Sequence, residues 1–177
     1  MIYNFSNRVT KIKPSFTLEM ATIAAEMKSQ GIDIVNFSVG EPDFNTPSHI
    51  INAGKMAMEK GYTKYTAGPG MIEFRKAICD KLENENGINF NSENILVSNG
   101  EKQSLYTACQ ALFDKGDEVL VCKPYWVSFP EFVRLSEANP VLVNTIPENN
   151  FEVDFDNLAS KSSNKTKGII INTPSNP

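Results

Sequence analysis

Residues 118–126 read EVLVCKPYW, and residues 168–172 read GIIIN. Both stretches contain short apolar runs, and similar runs occupy residues 95–98 and 141–146. Segments in which apolar residues recur at helical spacing lie between them. Strands that are apolar on both faces and alternate with helices build a mostly parallel sheet covered by helices. The sequence therefore predicts an α/β fold with strands at Ile95–Ser98, Glu118–Cys122, Val141–Ile146 and Gly168–Asn172.

Helices are predicted where apolar residues recur every three or four positions. The first should run from Pro14 to Gln30 and end at Gly31, which can adopt the left-handed conformation that closes helices. The second should begin with Thr46 as N-cap and Pro47 as first helical residue. A short strand is predicted between these two helices, at Ile32–Val39. Helices are further expected at residues 47–60 before Gly61, after Gly70 up to Gly87, from Gly100 to Lys115 with Leu105, Ala108, Cys109 and Leu112 facing inward, at 128–138, and at 155–161.

Composition and charge restrict the class of protein. The 177 residues are 41% apolar and 21% charged, which is typical of about one soluble globular domain. The net charge of −4, without clusters of basic residues, argues against a nucleic-acid or membrane partner. No segment approaches the roughly 20 apolar residues that span a bilayer, and no secretion signal opens the chain. A cytoplasmic protein is therefore expected, with its cysteines reduced and no metal site.

Ligands of parallel α/β sheets bind beyond the carboxyl ends of the strands, so the residues after each strand are the first candidates. Gly100, Glu101 and Lys102 open a helix after the first strand, where free backbone N–H groups favour an anion such as phosphate. Trp126 follows the second strand and could stack on a planar ligand. Asn176 lies in the proline-containing turn after the last strand. Each has a simpler explanation: an ordinary helix start, a core aromatic residue and an ordinary turn.

Five motifs, in their order along the chain, resemble those of class I aminotransferases of the aspartate aminotransferase type, which are pyridoxal-phosphate (PLP) enzymes of fold type I. They are Gly40–Phe44 (GEPDF), Lys64–Tyr65 (KY), Ser98–Lys102 (SNGEK), Pro124–Val127 (PYWV) and Asn172–Pro177 (NTPSNP). The resemblance covers essentially the whole chain and implies an incomplete three-layer α/β/α large domain, preceded by an amino-terminal helical segment. Residues 1–45 would be that segment, with a helix and a short strand that belong to the small domain and the dimer contact. Residues 46–177 would be the first part of the PLP-binding large domain.

The resemblance assigns the cofactor site residue by residue. Gly100, Glu101 and Lys102 would form the phosphate cup, largely through backbone N–H groups, and Trp126 would stack on the pyridine ring. Related enzymes often carry a small residue where Glu101 stands, and often Thr or Gly at the position of Asn99. Because backbone donors do not depend on side-chain identity, the cup should survive these differences.

The same resemblance gives three residues a role toward the substrate and one a role toward a second subunit. Asn176 would hydrogen-bond the phenolic oxygen of the ring and help hold the substrate carboxylate. Gly40 would line the substrate pocket with its backbone, since a side chain there would crowd the α-carboxylate. Trp126 would border the same pocket. Tyr65 would reach the phosphate of the neighbouring subunit's cofactor, which implies a homodimer.

No residue of this chain matches the catalytic lysine of the family. PLP chemistry needs a Schiff-base lysine, an acidic partner for the pyridinium nitrogen and usually an arginine for the substrate carboxylate. In the family all three follow the motif at Asn172–Pro177. The stretch Ser162–Lys165 lies in a polar loop before a strand, unlike a Schiff-base site. We therefore expect an amino-terminal fragment that is inactive by itself. In the family's sheet the strand at Ile95–Ser98 lies apart from the other three predicted strands, so the resemblance implies that it has no partner strand in this chain.

The implied reaction is transfer of an amino group from an L-α-amino acid, with aspartate as the leading candidate, to a 2-oxo acid by a ping-pong mechanism. Two alternatives remain open. One is another fold-type-I reaction, such as C–S bond cleavage or an elimination like that of aminocyclopropane-carboxylate synthase. The other is a non-catalytic remnant or binding module that kept the cofactor half of the fold.

Overall fold

The computed structural model describes residues 4–176 of the chain. Residues 1–3 of the predicted amino-terminal segment and Pro177 of the last motif lie outside the described residues. The α-helices are α1 (Asn7–Thr10), α2 (Phe16–Ser29), α3 (Ser48–Glu59), α4 (Ile72–Asn86), α5 (Gly100–Leu112), α6 (Ser128–Leu135) and α7 (Phe155–Lys161). The strands are β1 (Glu118–Cys122), β2 (Asn139–Val143), β3 (Thr145–Ile146), β4 (Glu152–Val153) and β5 (Thr166–Ile170). Short 3₁₀ turns lie at Ser92–Asn94 and Pro147–Asn149.

Three parallel strands form the main sheet, in the order β2–β1–β5. Leu120 in β1 lies opposite Val141 in β2 and Ile169 in β5. A short antiparallel pair joins β3 and β4. Parallel strands need long crossover connections, and α6 and α7 lie in the connections between the three strands. The predicted α/β fold with a parallel sheet is therefore confirmed.

The core lies between β1 and the helix that packs on it. Val119 and Val121 of β1 have at most 1% of their surface exposed. Phe129, Phe132 and Val133 place the apolar face of α6 in the same cluster. Complete burial of such a side chain contributes roughly 1.5–3 kcal/mol. Burial of β1 and α6 thus stabilises the part of the sheet from which the loop with Trp126 extends.

The chain falls into two compact units. One comprises the residues up to Ile34 and those from Lys102 onward, and the other comprises Val35–Glu101. The first unit contains the sheet and every buried side chain of the described residues. The second contains α3 and α4, and none of its side chains, all of which are described, is buried. The domain division predicted near residue 45 stays a prediction.

Glycine follows three helices, as the sequence predicts. Gly31, Gly61 and Gly87 have φ angles of +78°, +80° and +67° after α2, α3 and α4. Glycine reaches this left-handed conformation without a steric penalty, because it has no Cβ. These three helix ends are therefore encoded locally in the sequence.

The start of α3 differs from the prediction. Thr46 is not the N-cap, because α3 begins at Ser48 and Pro47 takes the N-cap position. The Pro47 carbonyl accepts hydrogen bonds from the N–H groups of Ile50 and Ile51, at 3.0 and 3.1 Å. A proline has no N–H of its own that would need a partner. The helix thus begins on a backbone carbonyl, without a side-chain cap.

Two predicted strands do not form. Ile32–Val39 and Ile95–Ser98 belong to no sheet within residues 4–176. Ile95 has extended backbone angles, with φ −104° and ψ 128°, and the Val97 N–H donates to the Pro69 carbonyl at 3.0 Å. An extended segment becomes a strand only where a neighbouring strand supplies hydrogen-bond partners. The apolar pattern predicted the extended conformation of Ile95 correctly, and the lack of a partner strand agrees with the expectation, drawn from the family resemblance, that Ile95–Ser98 is unpaired in this chain.

Two further predictions are wrong in detail. Ala108 and Leu112 of α5 are exposed, and Phe113, just after the helix, packs against the core instead. The predicted strand Val141–Ile146 is interrupted at Asn144, whose N–H donates to a side-chain oxygen of an asparagine in α7 at 2.9 Å. After this bond the chain leaves the parallel sheet, and β3 pairs with β4. A side-chain acceptor therefore ends the strand earlier than its apolar residues suggest.

Candidate functional site

The carboxyl ends of β1 and β5 border a small crevice. Its volume is about 80 Å³. Its lining includes Cys122 at the end of β1, Lys123 just after that strand, and Ile171, Asn172 and Ser175 after β5. Parallel strands present their carboxyl ends at one edge of the sheet, and ligands of α/β proteins bind there. The loops that follow these two strands, both predicted to carry ligand-binding residues, are therefore neighbours.

Trp126 lies in the loop after β1. Its indole is half-buried and packs against the core cluster. The rings of Phe129 and Phe132 stand steeply to it, at 89° and 68°, with centroid separations of 5.6 and 6.0 Å. Edge-to-face contacts of this kind fix the ring orientation and contribute about 0.5–1.5 kcal/mol beyond burial. Trp126 is thus a packed residue that still exposes part of its ring, so its core role and a ligand role are compatible.

Lys102, in the first turn of α5, lies over the Trp126 ring. Its Nζ atom is 4.9 Å from the ring centroid. The electron-rich face of an indole attracts a cation at this distance, by about 0.5–1 kcal/mol at an exposed position. No carboxylate within residues 4–176 forms an ion pair with this ammonium. The structure therefore brings two of the predicted cofactor residues into direct contact.

Asn176 is held by a turn that another asparagine closes. The Asn176 N–H donates to Oδ1 of Asn172 at 2.6 Å. Asparagine closes turns in this way because its short side chain reaches the backbone a few residues ahead. Asn176 is exposed. The turn therefore fixes the backbone of Asn176 while the residue remains accessible to solvent.

Gly100 and Glu101 form the start of α5. Gly100 has a φ of +79°, which a residue with a side chain adopts only with strain, and its N–H donates to the Ser98 carbonyl at 2.8 Å. Glu101 is exposed in the first helical turn, where the helix dipole favours an acidic side chain. The phosphate role predicted for this helix start stays a prediction. The N–H of Gly100, however, already has a backbone acceptor.

Tyr65 and Gly40 both belong to the unit of residues 35–101. Tyr65 is completely exposed and borders a cavity of about 350 Å³, together with Tyr62, Lys64 and Arg75. Gly40 lies in a loop, and no atom of the described residues lies within 4 Å of the position its Cβ would occupy. Packing within the described residues explains neither position. Their predicted roles, in the dimer and toward the substrate, stay predictions.

A larger cavity, of about 530 Å³, lies between the segment Ile12–Phe16 and α6 and contains none of the predicted site residues. Glu131, in its lining, forms an ion pair with Arg134. The second carboxylate oxygen of Glu131, Oε2, is buried without a hydrogen-bond partner among the described residues. An oxygen shielded from water is equally shielded from a ligand in the cavity. This charge pair is therefore read as part of the packing of α6.

The cysteines are free thiols, as predicted. Cys122 borders the crevice at the sheet edge, and burial raises the pKa of its thiol. A raised pKa keeps the thiol protonated at neutral pH, and the neutral thiol is a poor nucleophile. Cys122 therefore serves as a wall of the crevice, without nucleophilic character.

Two side-chain interactions of the site were not predicted from the sequence motifs. The contact between Lys102 and Trp126 joins residues separated by the rest of α5 and by β1, and no sequence signal pairs them. The turn-closing role of Asn172 does have a signal, since it stands between a strand and a proline-rich turn.

None of the helices described between residues 4 and 176 has both the length and the apolar character of a membrane span. In the same range, no group of three or more His, Cys, Asp or Glu side chains is placed to hold a metal ion.

Comparison with known proteins extends the match beyond the motifs. Residues 32–177 match the family described as aminotransferase class I and II. Over 172 residues, which are 97% of its length, the chain is 42% identical to aspartate aminotransferase of Bacillus subtilis and covers 44% of that protein. Over the same length it is 45% identical to a probable aspartate/prephenate aminotransferase of Rickettsia felis and covers 42% of that protein. Aspartate aminotransferase from Thermus thermophilus with maleate matches 99% of this chain at a TM-score of 0.94 and 40% identity, and 46% of that chain is covered. The chain thus spans less than half the length of these relatives.

Aspartate aminotransferases are PLP-dependent enzymes. The residues described above suit that cofactor in kind, because Trp126 has an aromatic face for a planar ring and Lys102, whose ammonium lies over that face, carries a positive charge for a phosphate. Asn176 adds an exposed amide residue in the loop after β5. The sequence match covers most of the chain, and the structural match covers nearly all of it. The chain belongs to the class I and II aminotransferase family.

Proposed function

We propose that this chain carries the cofactor-facing part of an aminotransferase that moves an amino group from an L-α-amino acid, with aspartate as the leading donor, to a 2-oxo acid. The reaction would be ping-pong, so that the first oxo acid leaves before the second enters. PLP, when bound, supplies the electron sink for bond changes at the substrate α-carbon. Relatives named as aspartate and aspartate/prephenate aminotransferases, at 42% and 45% identity, support this choice of donor.

The observation that carries the proposal is the contact between Lys102 and Trp126. An indole oriented by Phe129 and Phe132 gives a planar ring one defined plane on which to stack. The Lys102 ammonium lies over the indole, 4.9 Å from its centroid, and so supplies a positive charge at the same face. A flat ring that carries a phosphate would engage both groups once the ammonium has moved from the face of the indole.

Gly100, Glu101 and Lys102 would receive the phosphate at the start of α5. The backbone N–H groups of Glu101 and Lys102 would donate to it, since the N–H of Gly100 donates to the Ser98 carbonyl. The φ of +79° at Gly100 lets the chain turn there without a side chain that would obstruct a phosphate. Glu101 carries the same sign of charge as a phosphate. Its exposed position lets its carboxylate stay in water, away from the anion.

Asn176, Gly40 and Trp126 would face the substrate. The Asn176 side chain has two N–H donors and one acceptor, so it can donate to the phenolic oxygen of the ring or to the substrate carboxylate. At Gly40 the space that a Cβ would take is open, which leaves room for a carboxylate. No residue of this chain is assigned the acid–base step, because none of its lysines lies in a Schiff-base motif.

Tyr65 supports a homodimer. Its side chain is completely exposed, so its hydroxyl is free to reach the phosphate of a neighbouring subunit's cofactor. The ligands of the assembled enzyme would be small amino and oxo acids, and we propose that it works in the cytoplasm.

A chimera tests the activity. In it, this chain replaces the matching amino-terminal residues of the Bacillus subtilis aspartate aminotransferase, which supplies the remainder of the molecule. We expect the purified chimera to retain PLP through dialysis and to form oxaloacetate from aspartate and 2-oxoglutarate in a coupled assay. A folded chimera that retains PLP but transfers no amino group from aspartate would contradict the proposal.

Two substitutions in the chimera test the site. Trp126→Ala should weaken PLP retention by about tenfold, the equivalent of about 1.4 kcal/mol of stacking. Phe155→Ala is the matched control, since Phe155 is an aromatic residue with 75% of its surface exposed. Equal PLP retention by the two variants would remove Trp126 from the cofactor site.

A further inference from the structure

The Trp126 indole is covered by a residue that a stacked ligand would have to displace. On the core side the indole packs with Phe129 and Phe132. The Lys102 ammonium lies over the ring, 4.9 Å from its centroid. A stacked ring would lie about 3.5–4 Å from the indole, at van der Waals distance. A separation of 4.9 Å therefore leaves no room for a ring between the ammonium and the indole.

The Lys102 side chain can move at small cost. Lys102 is exposed, and no carboxylate of the described residues holds its ammonium. Its contact with the indole is a weak attraction, whereas a charge-assisted hydrogen bond to an anion is among the stronger polar contacts. An anion within reach of Lys102 would thus draw the ammonium away from the ring.

We propose that Lys102 is a positioning residue that exchanges partners when ligand binds: its ammonium covers Trp126 in the free chain and leaves the indole for the anionic group of the ligand. The identity of that ligand as a phosphate-bearing ring rests on the proposed function. The exchange opens the indole for stacking and supplies the counter-charge in one movement. A ligand that carries both an anion and a ring should therefore bind with a higher affinity than the separate contributions of the anion and the ring would give.

The single tryptophan of the chain makes this exchange directly observable, because tryptophan fluorescence reports on Trp126 and nothing else. Three probes separate the contributions. Inorganic phosphate supplies the anion, pyridoxine supplies the ring, and pyridoxine 5′-phosphate supplies both. Pyridoxine 5′-phosphate has no aldehyde, so it cannot react with surface lysines. Each probe is titrated into this chain while Trp126 emission is recorded.

Lys102→Met removes the charge and keeps a flexible apolar side chain, and Lys102→Arg keeps the charge. Lys161→Met is the matched control, an exposed lysine in α7 of the same unit. We expect phosphate to change Trp126 emission in the wild type, in Lys161→Met and in Lys102→Arg, and to leave Lys102→Met unchanged. In Lys102→Met the preference for pyridoxine 5′-phosphate over pyridoxine should fall about tenfold. Pyridoxine itself should bind at least as well as to the wild type.

Two results would overturn the inference. One is an emission change with phosphate that persists in Lys102→Met, since the anion would then act without the ammonium. The other is an equal loss of affinity for pyridoxine and its phosphate in Lys102→Met, which would reduce Lys102 to a support for the indole. A phosphate response that depends on Lys102, in a chain that binds neither pyridoxine compound, would uphold the partner exchange and count against the proposed function instead.

Discussion

Trp126 and Tyr65 are both aromatic residues of the family motifs, but they lie in opposite environments. Trp126 is half-buried and has two aromatic neighbours that fix its ring. Tyr65 has a fully exposed side chain. A residue without packing contacts contributes little to the stability of its own chain. Any role of Tyr65 therefore depends on a contact outside the described residues, whereas Trp126 serves the fold as well.

Substitution of these two residues should separate the two roles. Trp126→Ala should lower the free energy of unfolding by about 2–3 kcal/mol, somewhat less than the 3–5 kcal/mol of a fully buried aromatic residue. Tyr65→Ala should change it by less than about 0.5 kcal/mol. Urea unfolding followed by circular dichroism measures both, since the Trp126 variant lacks its fluorophore. A destabilisation by Tyr65→Ala as large as that of Trp126→Ala would show that Tyr65 packs within its own chain.

The buried thiol of Cys109 makes stability depend on alkaline pH. Burial raises the pKa of this thiol above its ordinary value of 9.0. The folded state therefore keeps its proton where the unfolded state has lost it, so stability is full below the ordinary pKa and is lost as pH rises through the raised value. We expect the free energy of unfolding to fall between about pH 8 and about pH 10, and to fall less in Cys109→Ala. Urea unfolding at both pH values tests this, and an identical loss in the two proteins would contradict it.

Among the helices and strands, the bounds that could be predicted are those encoded by residues within or next to the element itself. The helix α7 and the strand β1 have the predicted bounds, and Gly31, Gly61 and Gly87 follow their helices as expected, because a local pattern or a glycine suffices. The segment Ile32–Val39 was predicted as a strand from the same kind of pattern and is unpaired, whereas Ile95–Ser98 is unpaired as the family resemblance predicts. A strand depends on a partner that can be far away in sequence, so its own residues cannot establish it.

Gly168 offers a test of how tightly β5 packs against the Phe113 ring. A Cβ at this position would lie 2.9 Å from Cζ and 3.0 Å from Cε1 of Phe113. The ring would have to shift, so Gly168→Ala should lower the free energy of unfolding by about 1–3 kcal/mol. Gly54→Ala is the matched control, because Gly54 lies within α3 and a Cβ there meets no described atom within 4 Å. That control should stabilise the chain by about 0.5–1 kcal/mol.

Denaturant unfolding of both glycine variants gives the comparison. The double variant Gly168→Ala/Phe113→Leu has no aromatic ring beside the added methyl group. In it, the methyl group should lower the free energy of unfolding less than it does beside Phe113. If Gly168→Ala proves neutral in the presence of Phe113, the ring moves freely and does not constrain β5.

At the scale of the whole molecule, the predicted site residues are distributed over both compact units. Lys102, Trp126 and Asn176 belong to the unit with the sheet, whereas Gly40, Tyr65, Gly100 and Glu101 belong to residues 35–101. The family motifs predict a role for all seven from sequence. The contact of Lys102 with Trp126 could not be identified in that way, because side-chain contacts depend on the packing of α5 and the loop after β1, which no motif encodes.

The uneven burial of the two units makes a prediction about local stability. Val119 and Val121 lie in a strand paired on both sides, and α6 buries four of its residues. The longer helix α4 has no buried residue. Amide hydrogen exchange reports the free energy of local opening, and helices without a buried face open at low cost.

We therefore expect amides of β1 and α6 to exchange at least about 100-fold more slowly than those of α4, a difference of about 2.7 kcal/mol. Exchange followed by mass spectrometry, corrected for intrinsic rates, measures this. The comparison of α6 with α4 sets helix against helix, so hydrogen bonding within a helix cannot account for a difference between them. Equal protection of the two would mean that residues 35–101 derive their stability from something other than burial.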